Sequence, residues 1–188
     1  MNSLTFSCST ALSAPTFPTC KTDYGSRVVK LFLAKDDSTI TVSGSDSMTL
    51  AELESEVTEG DIVVVDGITN GKREEVSSTE FSGDDTETGG LESFDTVMGI
   101  TGNIKRMNET VIRALEIYDK FEVIRVWFLT DKNYLFGGVK GYKASVSFKP
   151  MRFEGYGTQP YIPFSLQYVH NGMDNAAYDS GYADVKNP

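Results

Sequence analysis

The chain reads as a mainly β protein with one flanking helix, and three observations carry that reading. Residues 161–169 alternate cleanly, with Ile162, Phe164, Leu166 and Tyr168 on one side, the period of a half-buried strand. Residues 121–130 (FEVIRVWFLT) concentrate β-branched and aromatic side chains, which suit a pleated, packed surface. Residues 108–120 have helical period instead: Val111, Ala114, Leu115 and Tyr118 recur at i, i+3, i+4 and i+7, one apolar stripe. Seventeen Gly and an aromatic fraction of 11% agree with many turns between strands. At 188 residues the chain suffices for one domain with a sizeable core. The expected division is an arm over residues 1–26, a single β-rich domain over 27–169, and a C-terminal tail over 170–188.

Each element has its own signal. Pro15 and Pro18 forbid a continuous helix in the arm, which either hangs free or lies on a neighbour. Cys8 and Cys20 stand there without further ligands at metal spacing, which argues against zinc; a disulfide is geometrically possible, and free thiols are the default because two cysteines make no disulfide framework. The first residues (MNSLTFSCSTALSAPTF) lack a positive start, and Ser and Thr interrupt every apolar run, which argues against a cleaved signal. No stretch approaches the roughly 20 apolar residues of a membrane-spanning helix. Residues 27–34 form the first strand, with 39–42 as its hairpin partner. Thr49 followed by Glu52 is a capping box, opening a short helix over about residues 50–57.

Residues 61–66 (DIVVVD) are a brief apolar strand. Asn70-Gly71 is the strongest two-residue hairpin signal in the chain, and it leads into a polar strand over 72–81. Residues 82–90 (SGDDTETGG) have no periodicity and read as an exposed tip, within an acidic loop region of about residues 67–92. Phe94, Met98, Ile100 and Ile104 share one face of a long strand that Gly99 and Gly102 are placed to bulge. The helix of residues 108–120 opens on Asn108 as N-cap, with Glu109 in its first turn. Its Val111, Leu115 and Tyr118 are core candidates. After strand 121–130, Asp131-Lys132-Asn133 turns the chain and Tyr134-Leu135-Phe136 returns. Gly137, Gly138 and Gly141 break that return before residues 143–148 resume it. Pro163 lacks a ladder donor, which points to an edge or a bulge. The tail from His170 is expected to be loosely ordered or pinned on a partner.

Charge and motifs exclude more than they assign. Net charge is −10, and fifteen Asp and Glu against two Lys and Arg fall between Asp46 and Asp95. Neutralising phosphates needs clustered Lys and Arg, which argues against DNA-backbone binding. A solvated acidic face and a surface that repels nucleic acid both fit. The one histidine, His170, has no nucleophile at fixed spacing. There is no nucleophile elbow, P-loop or zinc-protease helix. Asp84, Asp85 and Glu87 lack the spacing of a calcium loop. No catalytic residue, metal or cofactor is expected, and the chain reads as a non-enzyme.

Long strands, one amphipathic helix in the second half, an acidic mid-chain loop and flexible arms together resemble the tail-tube (major tail) proteins of long-tailed bacteriophages. Residues 102–148, where the helix leads into VIRVWFLTDKNYLFGGVKGY, are the most family-like piece, and the order of elements extends over about residues 27–169. The resemblance implies a β-sandwich or barrel with a flanking helix, and six copies joined through their inner sheets into a ring. Rings stack through loops and arms into a tube in the virion tail, assembled in the bacterial host cytoplasm. Partners are further copies of the chain and other tail proteins, with DNA as passing cargo and no membrane. On this reading Pro15, Pro18, Ser82, Gly83, Asp84, Asp85, Thr86 and Glu87 are inter-subunit contacts. Glu74, Glu75, Glu80, Glu92 and Asp95 form an acidic surface toward lumen or solvent. Two alternatives stand beside it: another virion subunit (tail terminator, neck or capsid decoration protein), and a secreted carbohydrate-binding sandwich using exposed Tyr156 and Tyr161.

Overall fold

The computed structural model describes residues 24–187 apart from 39, 41–46, 83–90, 106–107, 122, 156 and 171–175; residues 77–82, 91–95, 110 and 170 are described by their backbone. The expected arm with Pro15, Pro18, Cys8 and Cys20, most of the 39–42 strand, the 83–87 tip and Tyr156 lie outside the described residues. In chain order the elements are β1 (Val28–Lys35), α1 (Leu50–Glu59), β2 (Ile62–Val65), β3 (Ile68–Ser82), β4 (Leu91–Ile104) and α2 (Glu109–Tyr118). There follow β5 (Ile124–Thr130), β6 (Tyr134–Phe136), β7 (Tyr142–Phe148), β8 (Ile162–His170), β9 (Ala176–Tyr178) and a 3-10 turn at Ser180–Ala183. The fold is mainly β with a flanking helix, as the sequence indicates. All nine strands of the described residues belong to one sheet of order β2-β1-β5-β7-β8-β4-β3, with β6 linking β5 to β9.

That order forces the sheet to roll. β2 and β3 are its two end strands, yet only Asp66 and Gly67 separate them in the chain. The ends must therefore meet. At the meeting point a Cβ on Gly71 of β3 would fall on the Val28 carbonyl oxygen of β1, so only glycine lets the backbones approach this closely. Inside the roll lies the larger core: Leu31 and Leu33 of β1, Ile100 and Ile104 of β4, Val126 and Phe128 of β5, and Phe164 and Leu166 of β8. The helix α2 closes it with Val111, Leu115 and Tyr118, all buried. Asn108 caps that helix by accepting from the Val111 amide at 2.8 Å. A second core lies on the opposite face of β1, β2 and β5, where Phe32, Val64, Trp127 and Leu129 meet Leu53 and Val57 of α1. The Thr49–Glu52 capping box is formed, and the helix ends on Gly60 at φ 88°, the left-handed conformation that suits glycine at a C-terminus.

Two expectations need correction. Asn70-Gly71 makes no hairpin. Asn70 is left-handed at φ 56°, as an Asn-Gly turn would have it, but Thr69 pairs with Asn103 and Lys72 with Thr101. Two residues of β3 thus oppose Gly102 alone, which is a bulge. β4 itself runs beside β8 with no register shift from Thr96 to Ile104; the bulging expected at Gly99 and Gly102 falls on the β3 side, where Gly102 lies opposite this bulge and Gly99 makes room for Val76, the extra residue of the next. Nor is Pro163 at an edge: β8 lies between β7 and β4. Its missing donor falls just beyond the last β7 pair, Phe148↔Phe164, and its carbonyl accepts from Lys149 at 2.8 Å.

The glycine-broken return strand does form. β6 pairs with the end of β5 (Phe128↔Phe136) and β7 with its start (Ile124↔Ala144). The Trp127 indole fills the break, and its Nε1 donates to the Gly138 carbonyl at 3.0 Å.

Two buried phenols give the fold an alkaline limit. Tyr118 donates to the Leu33 carbonyl (3.1 Å) and Tyr182 to the Met48 carbonyl (2.7 Å). Burial first, and nearby carboxylates second, push both pKa values up from 10.0 to about 12. A raised folded-state pKa for an acid favours its neutral form, so this stability is complete below pH 10 and is lost as pH rises through about 12. Urea unfolding followed across that interval should show a falling midpoint in the native protein and a shallower fall in Tyr118→Phe. Equal slopes would refute the assignment.

Candidate assembly surfaces

The two outer faces of the rolled sheet are treated differently. Over β1, β2 and β5 the outside is covered by α1 and the C-terminal segment. Over β7, β8, β4 and β3 it is uncovered among the described residues, and its side chains follow from register, because directly paired residues share a face. One row across the four strands is Ser147, Ser165, Thr101 and Lys72; the next is Ser145, Gln167, Gly99 and Glu74. Ser145, Gln167, Thr101, Lys72 and Glu74 are exposed. Period-2 alternation sends Phe164, Leu166 and Tyr168 into the roll and leaves this hydroxyl- and amide-rich surface outside. Val169 and Val76 are its exposed apolar members.

Beyond Gly71, where β3 meets β1, this surface ends at an open strand. Among the described residues β3 pairs with β4 alone. The two continue past the sheet: β8 accompanies β4 from Thr96 to Ile104, whereas β3 and β4 stay paired to Ser82↔Leu91. A two-stranded arm of four residue pairs thus projects about 14 Å at the usual strand rise. Most of the span expected as an acidic loop is therefore strand. Glu74 and Glu75 are exposed on β3. Glu80 pairs with Phe94, Asp95 with Thr79, and Glu92 occupies a bulge between the Phe81 and Ser82 pairs. Ser82 ends β3, while Gly83, Asp84, Asp85, Thr86 and Glu87 lie outside the described residues.

At the root of the arm, Arg73 pairs with Ile100 and so faces inward. Its guanidinium lies 5.6 Å from the Phe128 ring centroid and 5.8 Å from that of Tyr168, and Nε donates to the Tyr168 hydroxyl at 2.6 Å. It closes the roll over a cluster in which Tyr142 stacks on Tyr168 at 4.4 Å and Phe128 on Phe136 at 4.9 Å. In the sequence Arg73 is merely one of two cations in an acidic stretch, and nothing there marks this role.

The other end of the sheet, β2, is occupied. Asn187 donates through Nδ2 to the Val64 carbonyl (2.7 Å) and accepts through Oδ1 from the Val64 amide (2.8 Å). Val64 is opposite Phe32 of β1. The segment bearing Asn187 is anchored rather than loosely ordered, contrary to the expectation for the tail. β9 pairs with β6, Tyr182 and Val185 are buried, and Asp179 caps the 3-10 turn through the Gly181 amide at 2.8 Å. Lys30, itself buried, donates to the carbonyls of Ala183 and Val185, the latter at 2.9 Å. The one sequence signal for this anchoring is a lysine inside the apolar run VVKLFLA.

Of the remaining candidates, Tyr161 is buried and donates to Glu154, so it offers no stacking platform for a sugar. His170 is placed by its backbone, opposite Thr96. No group of three His, Cys, Asp or Glu able to hold a metal occurs among the described residues. No helix among them is long and apolar enough to cross a membrane. No protein-family model matches the chain, and no curated protein matches it. One solved structure, described as the virion of a native gene transfer agent particle, is similar over 62% of this chain and 88% of its own, at 12% identity and a TM-score of 0.36. A likeness at that level carries no argument about fold or function.

Proposed function

We propose that the chain is a structural subunit of a virion and, more narrowly, that copies of it join into a ring that stacks into a phage tail tube. The reading assigns the chain no reaction. One observation carries it: four adjacent strands present an uncovered polar face that ends at the open edge of β3. An open strand edge invites another strand. Identical chains joined there would carry the face onward from one subunit to the next, and a closing rotation makes a ring. Such a ring is lined by Ser, Thr and Gln, with Lys72 offsetting Glu74, a polar lining without the clustered Lys and Arg that would hold a passing polyanion. The projecting arm suits the contact between rings, because a lone two-stranded ribbon is marginally stable in water and gains from packing on a neighbour.

Deleting residues 83–90 while joining β3 to β4 by a short turn leaves the paired strands intact. We expect folded subunits that no longer form tubes in negative-stain electron microscopy. Tubes of unchanged length and abundance would remove the tip of the arm from the ring contacts, and a native protein that stays monomeric at high concentration would sink the tube reading altogether.

A further inference from the structure

The two ends of the sheet differ in a way that the ring reading does not require. Beyond its meeting with β1 at Gly71, β3 is open among the described residues, while β2 is held by a side chain that imitates a strand. In an antiparallel ladder a non-hydrogen-bonded pair turns both its N–H and its C=O outward. Val64, opposite Phe32, engages both groups with the Asn187 carboxamide, at 2.8 and 2.7 Å. Donor answers acceptor and acceptor answers donor, as they would for one residue of an added strand. Lys30 fixes the approach by gripping the Ala183 and Val185 carbonyls, and the buried Val185 side chain fixes the depth.

We propose that the β2 edge is a strand-accepting surface for the open β3 edge of a second copy of this chain, and that Asn187 keeps it shut. The geometry favours a second copy because β3 and β2 are the two ends of one antiparallel sheet. The β3 edge of one molecule on the β2 edge of the next continues the sheet head to tail. Val64 is the outward-facing residue in the middle of a four-residue strand, so covering it blocks the edge with one side chain. Edge strands left bare are sites of uncontrolled association; here the cover belongs to the chain itself and is held by hydrogen bonds, which a competing strand can replace one for one.

The proposal rests on the β2 edge and not on the virion reading, and the test separates them. Asn187→Ala removes the cover and leaves Lys30, Tyr182 and Val185 in place. Two lost side-chain hydrogen bonds should let the variant self-associate at concentrations about tenfold below the native protein, measured by sedimentation velocity, with unchanged circular dichroism. Amide exchange at Val64 supplies the second readout: slow in the native protein, slow again in the associated variant, fast in the dilute variant. Asn187→Asp, which keeps an acceptor for the Val64 amide and loses the donor, should shift association less and serves if the alanine variant does not fold. Identical association of native and variant protein overturns the proposal, as does an associated variant whose Val64 amide exchanges freely. If the native protein never forms tubes but Asn187→Ala still associates through Val64, the tail-tube reading falls and this one stands.

Discussion

Leu115→Asp should leave the chain unfolded at 25 °C, with no cooperative transition in urea and a far-ultraviolet spectrum lacking the native β signal. Leu115 is buried in the larger core, between Val111 and Tyr118 on the inward stripe of α2. Removing the leucine forfeits about 2–5 kcal/mol of burial and packing. The carboxylate then enters the apolar cluster to which Ile104 and Ile124 also belong. It must either stay charged without a partner or take up a proton, and either course adds several kcal/mol, roughly. The sum approaches the whole stability of an ordinary domain, about 5–15 kcal/mol. Ile117→Asp is the matched control. It sits on the same helix but is half exposed, so its cost should stay within about 1 kcal/mol. A folded Leu115→Asp variant with a midpoint near that of the native protein would mean that α2 does not close the core.

The contrast between Leu115 and Ile117 was legible in the sequence, because a helical stripe depends only on spacing along one element. The same holds for the Asn108 cap, the Thr49–Glu52 box and the alternation of β8. All of these interactions close within a few residues, so composition and period suffice to find them. What escaped were the contacts that only the roll of the sheet creates. Asn70-Gly71 has the backbone preference of a hairpin turn, and Asn70 indeed adopts it. But β2 already pairs with β1, so the chain runs on beside β4 and the left-handed residue is absorbed as a bulge. Local conformation was right and its use was wrong. Lys30 and Val185 are separated by 155 positions, and Val64 and Asn187 by 123; no periodicity within a segment reports on pairs so distant.

The assembly surfaces were legible only in part, for a related reason. Charge is additive along the chain, so the acidic span stood out before any fold was known. Which of its residues point outward depends on bulges at Val76 and Glu92, each adding one residue to one strand. Every bulge reverses the alternation beyond it. Glu74 shares its register position with Gly99 on the uncovered face, whereas Glu75, paired with Met98, belongs to the opposite one. A count of carboxylates cannot separate them.

Trp127→Ala should cost about 4–6 kcal/mol, the usual range for deleting a buried indole plus the loss of its hydrogen bond. Trp127 is fully buried, and it fills the gap where the return strand breaks between β6 and β7. The glycines exist around the ring. A Cβ on Gly137 would lie 2.5 Å from the indole Cδ1, and one on Gly141 3.0 Å from Cε2 and Cζ2. Both glycines also have positive φ, 131° and 70°. Trp127→Phe separates the two contributions, because it keeps most of the volume and loses the donor to the Gly138 carbonyl; about 1–3 kcal/mol is expected. Gly137→Ala should destabilise through both the clash and the backbone angle. Only the clash needs the indole. In the Trp127→Ala background the added methyl has room, so the double variant should be more stable than the sum of the two single effects implies, by about 1 kcal/mol or more. Strict additivity in urea unfolding would show that backbone conformation alone demands glycine there, and that the indole merely occupies a gap that would form without it.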